Sequence, residues 1–124
     1  MPSTEPRGPR QIWRALQWSI KGLRAAWQHE ASFRLEAYLV VILFPLGLWI
    51  GRNAIEKAIL CGSLVLVLSA ELLNSAIEAI TDKASPEFHE LAGRAKDMGS
   101  AAVLFLMLNV ALCWTLILSD HFFH

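Results

Sequence analysis

Three long runs of apolar residues alternate with short polar stretches along the chain. The runs cover about residues 35–51, 57–81 and 98–119, and the last of them contains no charged residue. At about 1.5 Å per helical residue, a run of about 20 residues crosses the roughly 30 Å hydrocarbon core of a bilayer. The pattern therefore predicts an all-α membrane protein with three transmembrane helices.

Residues 10–34 precede the first span and show a different pattern, in which apolar and cationic side chains lie on separate stripes. The apolar stripe comprises Ile12, Leu16, Ile20, Leu23 and Trp27, and the polar stripe comprises Arg14, Gln17, Lys21, Arg24 and Gln28. A helix with two such faces lies on a membrane surface with its cations at the anionic headgroups. We therefore expect an amphipathic surface helix, with a soluble helix packed on a partner as the alternative. Residues 1–9 hold three prolines and a glycine, which predicts a flexible tail.

Composition places these elements in one domain, residues 1–124. The chain is 55% hydrophobic with a mean hydropathy of +0.42, which is too apolar for a soluble protein of this size. Basic and acidic residues balance at 11 each, so the net charge does not indicate a nucleic-acid partner. Nine of the eleven Lys and Arg residues precede the first span or lie between the second and third. The positive-inside rule then places the N-terminus and the second loop in the cytoplasm.

The second apolar run contains two carboxylates that packing alone does not explain. Glu71, Asn74, Ser75, Glu78 and Asp82 recur at steps of three and four, so they share one helix face. An unpaired carboxylate in hydrocarbon is costly, so its default interpretation is a functional site. Glu71 and Glu78 are about 10.5 Å apart along the helix axis, too far to bind one ion directly together. Glu78 is suited to hold Mg²⁺ with a phosphate, and Glu71 to act as a general base, with interhelical hydrogen bonding as the structural alternative.

The second loop, residues 82–97, brings further charged side chains to the point where the chain re-enters the membrane. They are Glu87, His89, Glu90, Arg94, Lys96 and Asp97. Taken singly, each is typical of a solvated loop. Lys96 can hold a phosphate as a point charge, and Asp97 can assist a metal or orient Lys96. The sequence has neither a P-loop nor a kinase-type glycine-rich loop, so any phosphoryl transfer depends on side chains.

Three segments resemble the small prokaryotic diacylglycerol kinases, which are integral membrane enzymes unrelated to soluble kinases. The segments are residues 21–27 (KGLRAAW), 71–82 (ELLNSAIEAITD) and 88–103 (FHELAGRAKDMGSAAV), and the resemblance covers nearly the whole chain from about Gln11. It implies a homotrimer of three-span subunits in the bacterial inner membrane, with active sites shared between subunits. It also implies transfer of the γ-phosphoryl group of MgATP, bound from the cytosol, to diacylglycerol from the bilayer, giving phosphatidic acid.

The resemblance implies roles for individual residues. Glu71 is the expected catalytic base, and Asn74 is the second expected catalytic residue, which supports the catalytic face. Glu30 and Glu78 are the expected Mg²⁺ ligands. The expected ATP contacts are Gln11, Trp18, Glu30, Glu78, Glu87, Phe88, His89, Lys96 and Asp97. The expected lipid contacts are Ser19, Arg24, Ala25, Ala26, Trp27, Ser32, Phe33, Arg34, Glu36, Trp49, Glu71, Ser100 and Trp114.

Three positions depart from the family pattern at the nucleotide edge. Gln11 stands where an arginine is expected, although Arg10 could replace it by a one-residue slip, and Trp18 and Phe88 stand where tyrosines are common. Undecaprenol kinase is the main alternative function, since related enzymes phosphorylate that polyisoprenol with a similar carboxylate set. A small oligomeric ion or proton transporter is less favoured, because residues 58–70 offer only weakly polar groups to continue a conduction path. A non-catalytic membrane scaffold would not need the acidic and basic groups near the membrane edge.

Overall fold

Four helices make up the regular structure of the residues that the computed structural model describes, 8–83 and 89–123. They are α1 (Pro9–His29), α2 (Ala31–Ile50), α3 (Ala54–Thr81) and α4 (His89–Phe123). The last three are long and apolar enough to cross a membrane. At about 1.5 Å per residue they measure about 30, 42 and 52 Å, so each reaches the thickness of the hydrocarbon core. The predicted all-helical architecture with three candidate spans is confirmed, and it indicates an integral membrane protein.

The surface helix predicted for residues 10–34 ends earlier, at His29. Glu30 adopts an extended conformation, with φ −119° and ψ 104°, between α1 and α2. The Arg34 guanidinium donates hydrogen bonds to the carbonyl oxygens of Trp27 at 2.7 Å and Gln28 at 3.4 Å. These carbonyls lie in the last turn of α1, where a cation also complements the helix dipole. The chain therefore turns at Glu30, and residues 31–34 begin the first span instead of ending the surface helix.

A capped turn at residues 51–53 joins α2 to α3. The Asn53 side chain is the N-cap of α3 and accepts a hydrogen bond from the backbone N–H of Glu56 at 2.9 Å. This cap starts the helix at Ala54, three residues before the predicted start of the second span at residue 57. The end of the helix at Thr81 agrees with the predicted end.

A cluster of charged side chains ties this turn to the far end of α4. The Glu56 carboxylate pairs with the Arg52 guanidinium at 2.9 Å and contacts Nε2 of His121 at 3.0 Å. Arg52 also pairs with the carboxylate of Asp120. The hydrogen bonds with Glu56 and then with Asp120 raise the pKa of Arg52, so its guanidinium stays charged. The three membrane helices are therefore linked at the end opposite Glu71 and Glu78.

The core lies along α3, which packs between α2 and α4. Leu60, Leu64 and Val67 follow helical spacing on one face of α3 and are buried. α2 comes close to this face at Gly47, where an added Cβ would lie 3.2 Å from the Cβ of Leu60. From α4, the indole N–H of Trp114 donates to the Leu60 carbonyl at 3.2 Å. Large apolar side chains on the outer faces of α2 and α4 are exposed, as expected for helices surrounded by lipid or by other protein.

The helix α4 begins nine residues before the predicted third span at residues 98–119. Residues 89–97, predicted as part of a polar loop, therefore extend the helix beyond its apolar run. At the other end of the chain, Pro9 was predicted to belong to the tail but is the first residue of α1, where its fixed φ and missing N–H are tolerated. Residues 1–7, 84–88 and 124 lie outside the described residues.

Candidate active site

The polar face of α3 opens into a cavity of about 610 Å³ that α2 and α4 also line. Its polar lining residues are Glu30, Ser32, Glu36, Glu71, Asn74, Glu78, Asp97 and Ser100, and its apolar lining residues are Ala101, Val103, Leu104 and Met107. We call this space the carboxylate cavity, because five of its lining residues are acidic and none is basic. The chain thus gathers negative charge among apolar helices, which favours the binding of a cation.

The most buried acidic residues of the carboxylate cavity are Glu71 on α3 and Glu36 on α2, which are 6% and 8% exposed. The two carboxyl groups interact with each other across the contact between α2 and α3. Oε2 of Glu36 is buried and has no hydrogen-bond partner among the described residues. This oxygen can accept a hydrogen bond from a hydroxyl group that enters beside Glu71.

Asn74 connects the deeper part of the cavity to Glu78. Its Nδ2 donates to Oε1 of Glu78 at 3.4 Å, and the Asn74 side chain is buried while Glu78 is half-buried. Glu71, Asn74 and Glu78 therefore line one side of the cavity, as their spacing predicts. Ser75, which the same spacing places on this face, lines a different cavity between α1 and α3.

Glu30 reaches the carboxylate cavity because the chain turns at that residue. Its backbone N–H donates to the Ala26 carbonyl at 2.9 Å, and its carbonyl accepts from the Arg34 N–H at 3.2 Å. These two bonds hold its backbone at the junction of α1 and α2, and its side chain is half-buried. Glu30 and Glu78, the two predicted metal ligands, consequently line the same cavity although they are distant in sequence.

The helix α4 contributes Asp97 and Ser100 to the carboxylate cavity. Its neighbour Lys96 does not line the cavity, and its Nζ pairs with the carboxylate of Asp82 at 2.8 Å. Asp82 is the C-cap of α3, so this ion pair joins the end of α3 to the beginning of α4. Asp97 was predicted as a possible partner of Lys96, but consecutive residues point about 100° apart around a helix. The structure therefore gives Lys96 a partner on another helix.

Among the described residues, the other predicted ATP contacts do not line the carboxylate cavity. Gln11 and Trp18 are on α1, and His89 is the first residue of α4. Glu87 and Phe88 were also predicted to contact ATP and lie outside the described residues. Within the described part of the chain, the acidic members of the predicted ATP set meet at the cavity and the remaining members do not.

Two further cavities flank α1 and collect many of the predicted lipid contacts. A cavity of about 690 Å³ between α1 and α3 is lined in part by Ser19, Ala25 and Ala26. A cavity of about 320 Å³ on another side of α1 is lined in part by Arg24, Trp27 and Phe33. The predicted lipid contacts Ser32, Glu36, Glu71 and Ser100 line the carboxylate cavity itself. Glu30 lines both the carboxylate cavity and the cavity between α1 and α3, so the two spaces meet at the turn between α1 and α2.

Three predicted lipid contacts have other surroundings in this chain. Arg34 caps the last turn of α1. Trp114 donates to the Leu60 carbonyl within the packing of α3 against α4. Trp49 is 81% exposed near the end of α2, where an interfacial aromatic residue would lie. The structure does not bring these three side chains to the carboxylate cavity.

The chemistry of the cavity suits a hard cation. The described residues contain no group of three or more His, Cys, Asp and Glu side chains arranged to hold a metal ion. Mg²⁺ commonly needs fewer protein ligands, because it binds one or two carboxylates and completes its octahedral shell with water and phosphate oxygens. The cavity offers carboxylate oxygens without thiol or imidazole ligands, which is the donor set that Mg²⁺ prefers. The residues present therefore fit Mg²⁺ that arrives with phosphate groups.

The comparisons with known proteins all point to the same family. The family model described as prokaryotic diacylglycerol kinase matches residues 17–118, which include every residue lining the carboxylate cavity. The chain is 46% identical over 112 residues to a diacylglycerol kinase of Escherichia coli (strain K12), covering 90% of this chain and 92% of that relative. It is 43% identical over 98 residues to a diacylglycerol kinase of Haemophilus influenzae, covering 79% and 83%. It is 40% identical over 111 residues to a diacylglycerol kinase of Pseudomonas aeruginosa, covering 90% of each chain.

Proposed function

The chain belongs to the prokaryotic diacylglycerol kinase family, and from this premise we propose that it transfers the γ-phosphoryl group of MgATP to the free hydroxyl group of 1,2-diacylglycerol. The products are phosphatidic acid and ADP. The lipid hydroxyl loses its proton, its oxygen forms a bond to the γ-phosphorus, and the bond from that phosphorus to the leaving oxygen of ADP breaks.

The position of Glu71 is the observation that carries this proposal. Glu71 is 6% exposed within an apolar helix, and it lines the carboxylate cavity beside the unpartnered oxygen of Glu36. A hydroxyl group that enters the cavity can therefore be oriented by Glu36 and give its proton to Glu71. We assign Glu71 as the general base. Asn74 supports the arrangement by donating a hydrogen bond to Glu78.

Glu30 and Glu78 are the residues that would hold Mg²⁺. Glu30 is fixed by the turn between α1 and α2, and Glu78 by its hydrogen bond from Asn74. Asp97 faces the same cavity from α4 and adds a third carboxylate near the phosphates. When bound, Mg²⁺ neutralises charge on the phosphate oxygens and aligns them for transfer.

The nucleotide is proposed to extend from the carboxylate cavity toward the ends of α1 and α4. Lys96 can exchange its partner Asp82 for a phosphate oxygen, because an ammonium group is a flexible point charge. The other proposed nucleotide contacts are Gln11, Trp18, Glu87, Phe88 and His89. Aromatic rings at positions 18 and 88 can stack on adenine without the hydroxyl groups of tyrosine. MgATP is proposed to bind from the cytosol, with the N-terminus and second loop on that side of the bacterial inner membrane.

The lipid is proposed to approach beneath α1. The cavities that flank this helix are lined mostly by small and apolar side chains, which suit acyl chains. In this proposal α1 is an amphipathic helix on the membrane surface, with its cations at the headgroups. The exposed apolar faces of α2 and α4 leave surface for contacts with lipid and for assembly into a homotrimer.

The proposed function is tested by ATP consumption of the detergent-solubilised protein with Mg²⁺ and with 1,2-diacylglycerol, undecaprenol or no added lipid. We expect turnover that depends on diacylglycerol. Turnover with undecaprenol alone would keep the phosphoryl-transfer chemistry but replace the substrate. A well-assembled protein that is silent with both lipids would overturn the proposal.

A further inference from the structure

Gly99 lies where α4 comes close to the polar face of α3, and it is buried. A Cβ added at this position would overlap Oδ1 of Asn74 and would lie 3.3 Å from its Cγ. It would also lie 3.4 Å from Cδ1 of Ile77. Carbon atoms in contact normally stay about 3.5–4.0 Å apart. Even a methyl group therefore does not fit here unless α4 or the Asn74 side chain moves.

Asn74 has little freedom to move away from α4. Asn74 is 8% exposed, and its Nδ2 donates to Oε1 of Glu78 at 3.4 Å. Its Oδ1, on the side of Gly99, is buried and has no hydrogen-bond partner among the described residues. Turning the amide away from α4 would carry Nδ2 away from Glu78. The carboxylate of Glu78 would then lose the hydrogen bond that positions it.

A movement of α4 would alter the same cavity from its other side. Asp97 and Ser100 lie within two residues of Gly99 and line the carboxylate cavity. Any displacement of this turn away from α3 moves both side chains with it, because packed helices shift as units. Either response to a side chain at position 99 therefore changes the geometry of the cavity as well as the packing of the helices.

We propose that Gly99 is a positioning residue of the kinase: its missing side chain sets the separation of α3 and α4 at which Asn74 holds Glu78 and α4 presents Asp97. Gly99 acts through these neighbours and is not assigned a contact with substrate. The inference rests on the proposed function of the carboxylate cavity. Because a displacement of about 1 Å can reduce a rate about 100-fold, we expect Gly99→Ala to lower kcat by about 10- to 100-fold.

Two other glycines provide matched controls. Gly47→Ala also forces a tight helix contact, 3.2 Å from the Cβ of Leu60, but outside the carboxylate cavity. Gly93→Ala is on α4 like Gly99, and its Cβ meets nothing within 4 Å. All three changes replace glycine by alanine in a helix, so they share the same gain in helix propensity. We expect both controls to keep kcat per folded protein within about twofold of wild type, with a lower Tm for Gly47→Ala.

A double-mutant cycle tests whether the effect passes through Asn74. Asn74→Ala removes the atoms that a side chain at position 99 would overlap, so adding Gly99→Ala to it should lower neither kcat nor Tm further. The inference would be overturned if Gly99→Ala lowered kcat equally in the wild-type protein and in the Asn74→Ala variant. It would also be overturned if Gly99→Ala alone kept the wild-type kcat. If Gly99→Ala alone does not fold, the double variant should fold. If neither variant folds, the overlap between a side chain at position 99 and Asn74 is not the cause, and the inference is refuted.

Two readouts keep the result decisive. If the turnover of Asn74→Ala is too low to detect, the double-mutant cycle is measured by Tm instead. Gly99→Ala must then lower the Tm of the protein that has Asn74 and leave the Tm of the Asn74→Ala variant unchanged. Wild-type protein is assayed in the same series with diacylglycerol. Loss of lipid-dependent turnover there would overturn the proposed function and this inference together, whereas an active wild type with an equally active Gly99→Ala variant overturns the inference alone.

Discussion

Replacing the buried carboxyl group of Glu71 by an amide tests the proposed chemistry directly. Glu71→Gln keeps the shape of the side chain, and its amide N–H can donate a hydrogen bond to the neighbouring carboxyl group of Glu36. Glu71 is 6% exposed and lines the 610 Å³ carboxylate cavity, so an isosteric change neither opens a new void nor overfills an existing one. The property lost is the ability to accept a proton.

The expected size of the effect follows from that single loss. General-base catalysis contributes about 10²- to 10⁴-fold to a rate, which corresponds to about 2.7–5.5 kcal/mol of activation free energy. We expect kcat to fall by this factor. The KM for MgATP should stay close to its wild-type value, because Glu30, Glu78 and Lys96 are unchanged. The Tm should stay constant or rise, since a neutral amide replaces an acidic group in apolar surroundings.

The assay is phosphatidic acid formation in detergent micelles at saturating diacylglycerol, on protein whose assembly is checked by size-exclusion chromatography and thermal melting. Glu56→Gln is the matched control, because it makes the same substitution at the opposite end of α3. An unreduced kcat in Glu71→Gln would refute the assignment of the base. A comparable loss of kcat in Glu56→Gln would show that the effect reflects general damage to α3. A raised KM for MgATP with unchanged kcat would make Glu71 a binding residue.

Substitutions elsewhere in the chain should have separable effects. Glu78→Gln should raise the Mg²⁺ concentration for half-maximal turnover by about tenfold or more, and a titration at fixed ATP that shows no change would exclude Glu78 as a ligand. Lys96→Ala should raise the KM for MgATP more than Asp82→Ala does, because the first removes the charge and the second only its 2.8 Å partner. Equal effects of the two variants on KM would assign the effect to the ion pair itself. Glu56→Gln should lower Tm without changing kcat, since it weakens the contacts between the α2–α3 turn and α4, and an unchanged Tm would show that this cluster contributes no stability.

The three spans could be predicted because length and hydropathy largely decide whether a helix can cross a membrane. The helix ends could not all be predicted in the same way. The turn at Glu30 is held by Arg34, which reaches back to the carbonyls of α1, and that contact depends on the angle between two helices. The earlier start of α3 did have a local signal. Asn53 followed three residues later by Glu56 is a typical helix N-terminus, and the structure uses Asn53 as the N-cap.

The face of α3 that carries the site was also predictable, because a period of 3.6 residues places Glu71, Asn74 and Glu78 together. Spacing along one helix does not reveal partners on other helices. The contact of Glu36 with Glu71 crosses from α2 to α3, and the pair of Lys96 with Asp82 crosses from α4 to α3. A sequence signal for the first contact existed. Glu36 is the last charged residue before the uncharged stretch 37–51, and an ionisable side chain at the edge of a span is a functional candidate.

The concentration of acidic residues in the carboxylate cavity indicates which form of the nucleotide can bind. Like charges repel strongly in apolar surroundings, and a hydrogen bond within the chain reduces part of the repulsion between these carboxylates. Asn74 donates a hydrogen bond to Glu78. ATP without a metal carries several negative charges and would add to the repulsion, whereas in the proposed function MgATP would bring a divalent cation to the carboxylates. The Mg²⁺ requirement should therefore be a condition for binding as well as for transfer, so the Mg²⁺ titration of Glu78→Gln reports on the entry of the nucleotide into the site.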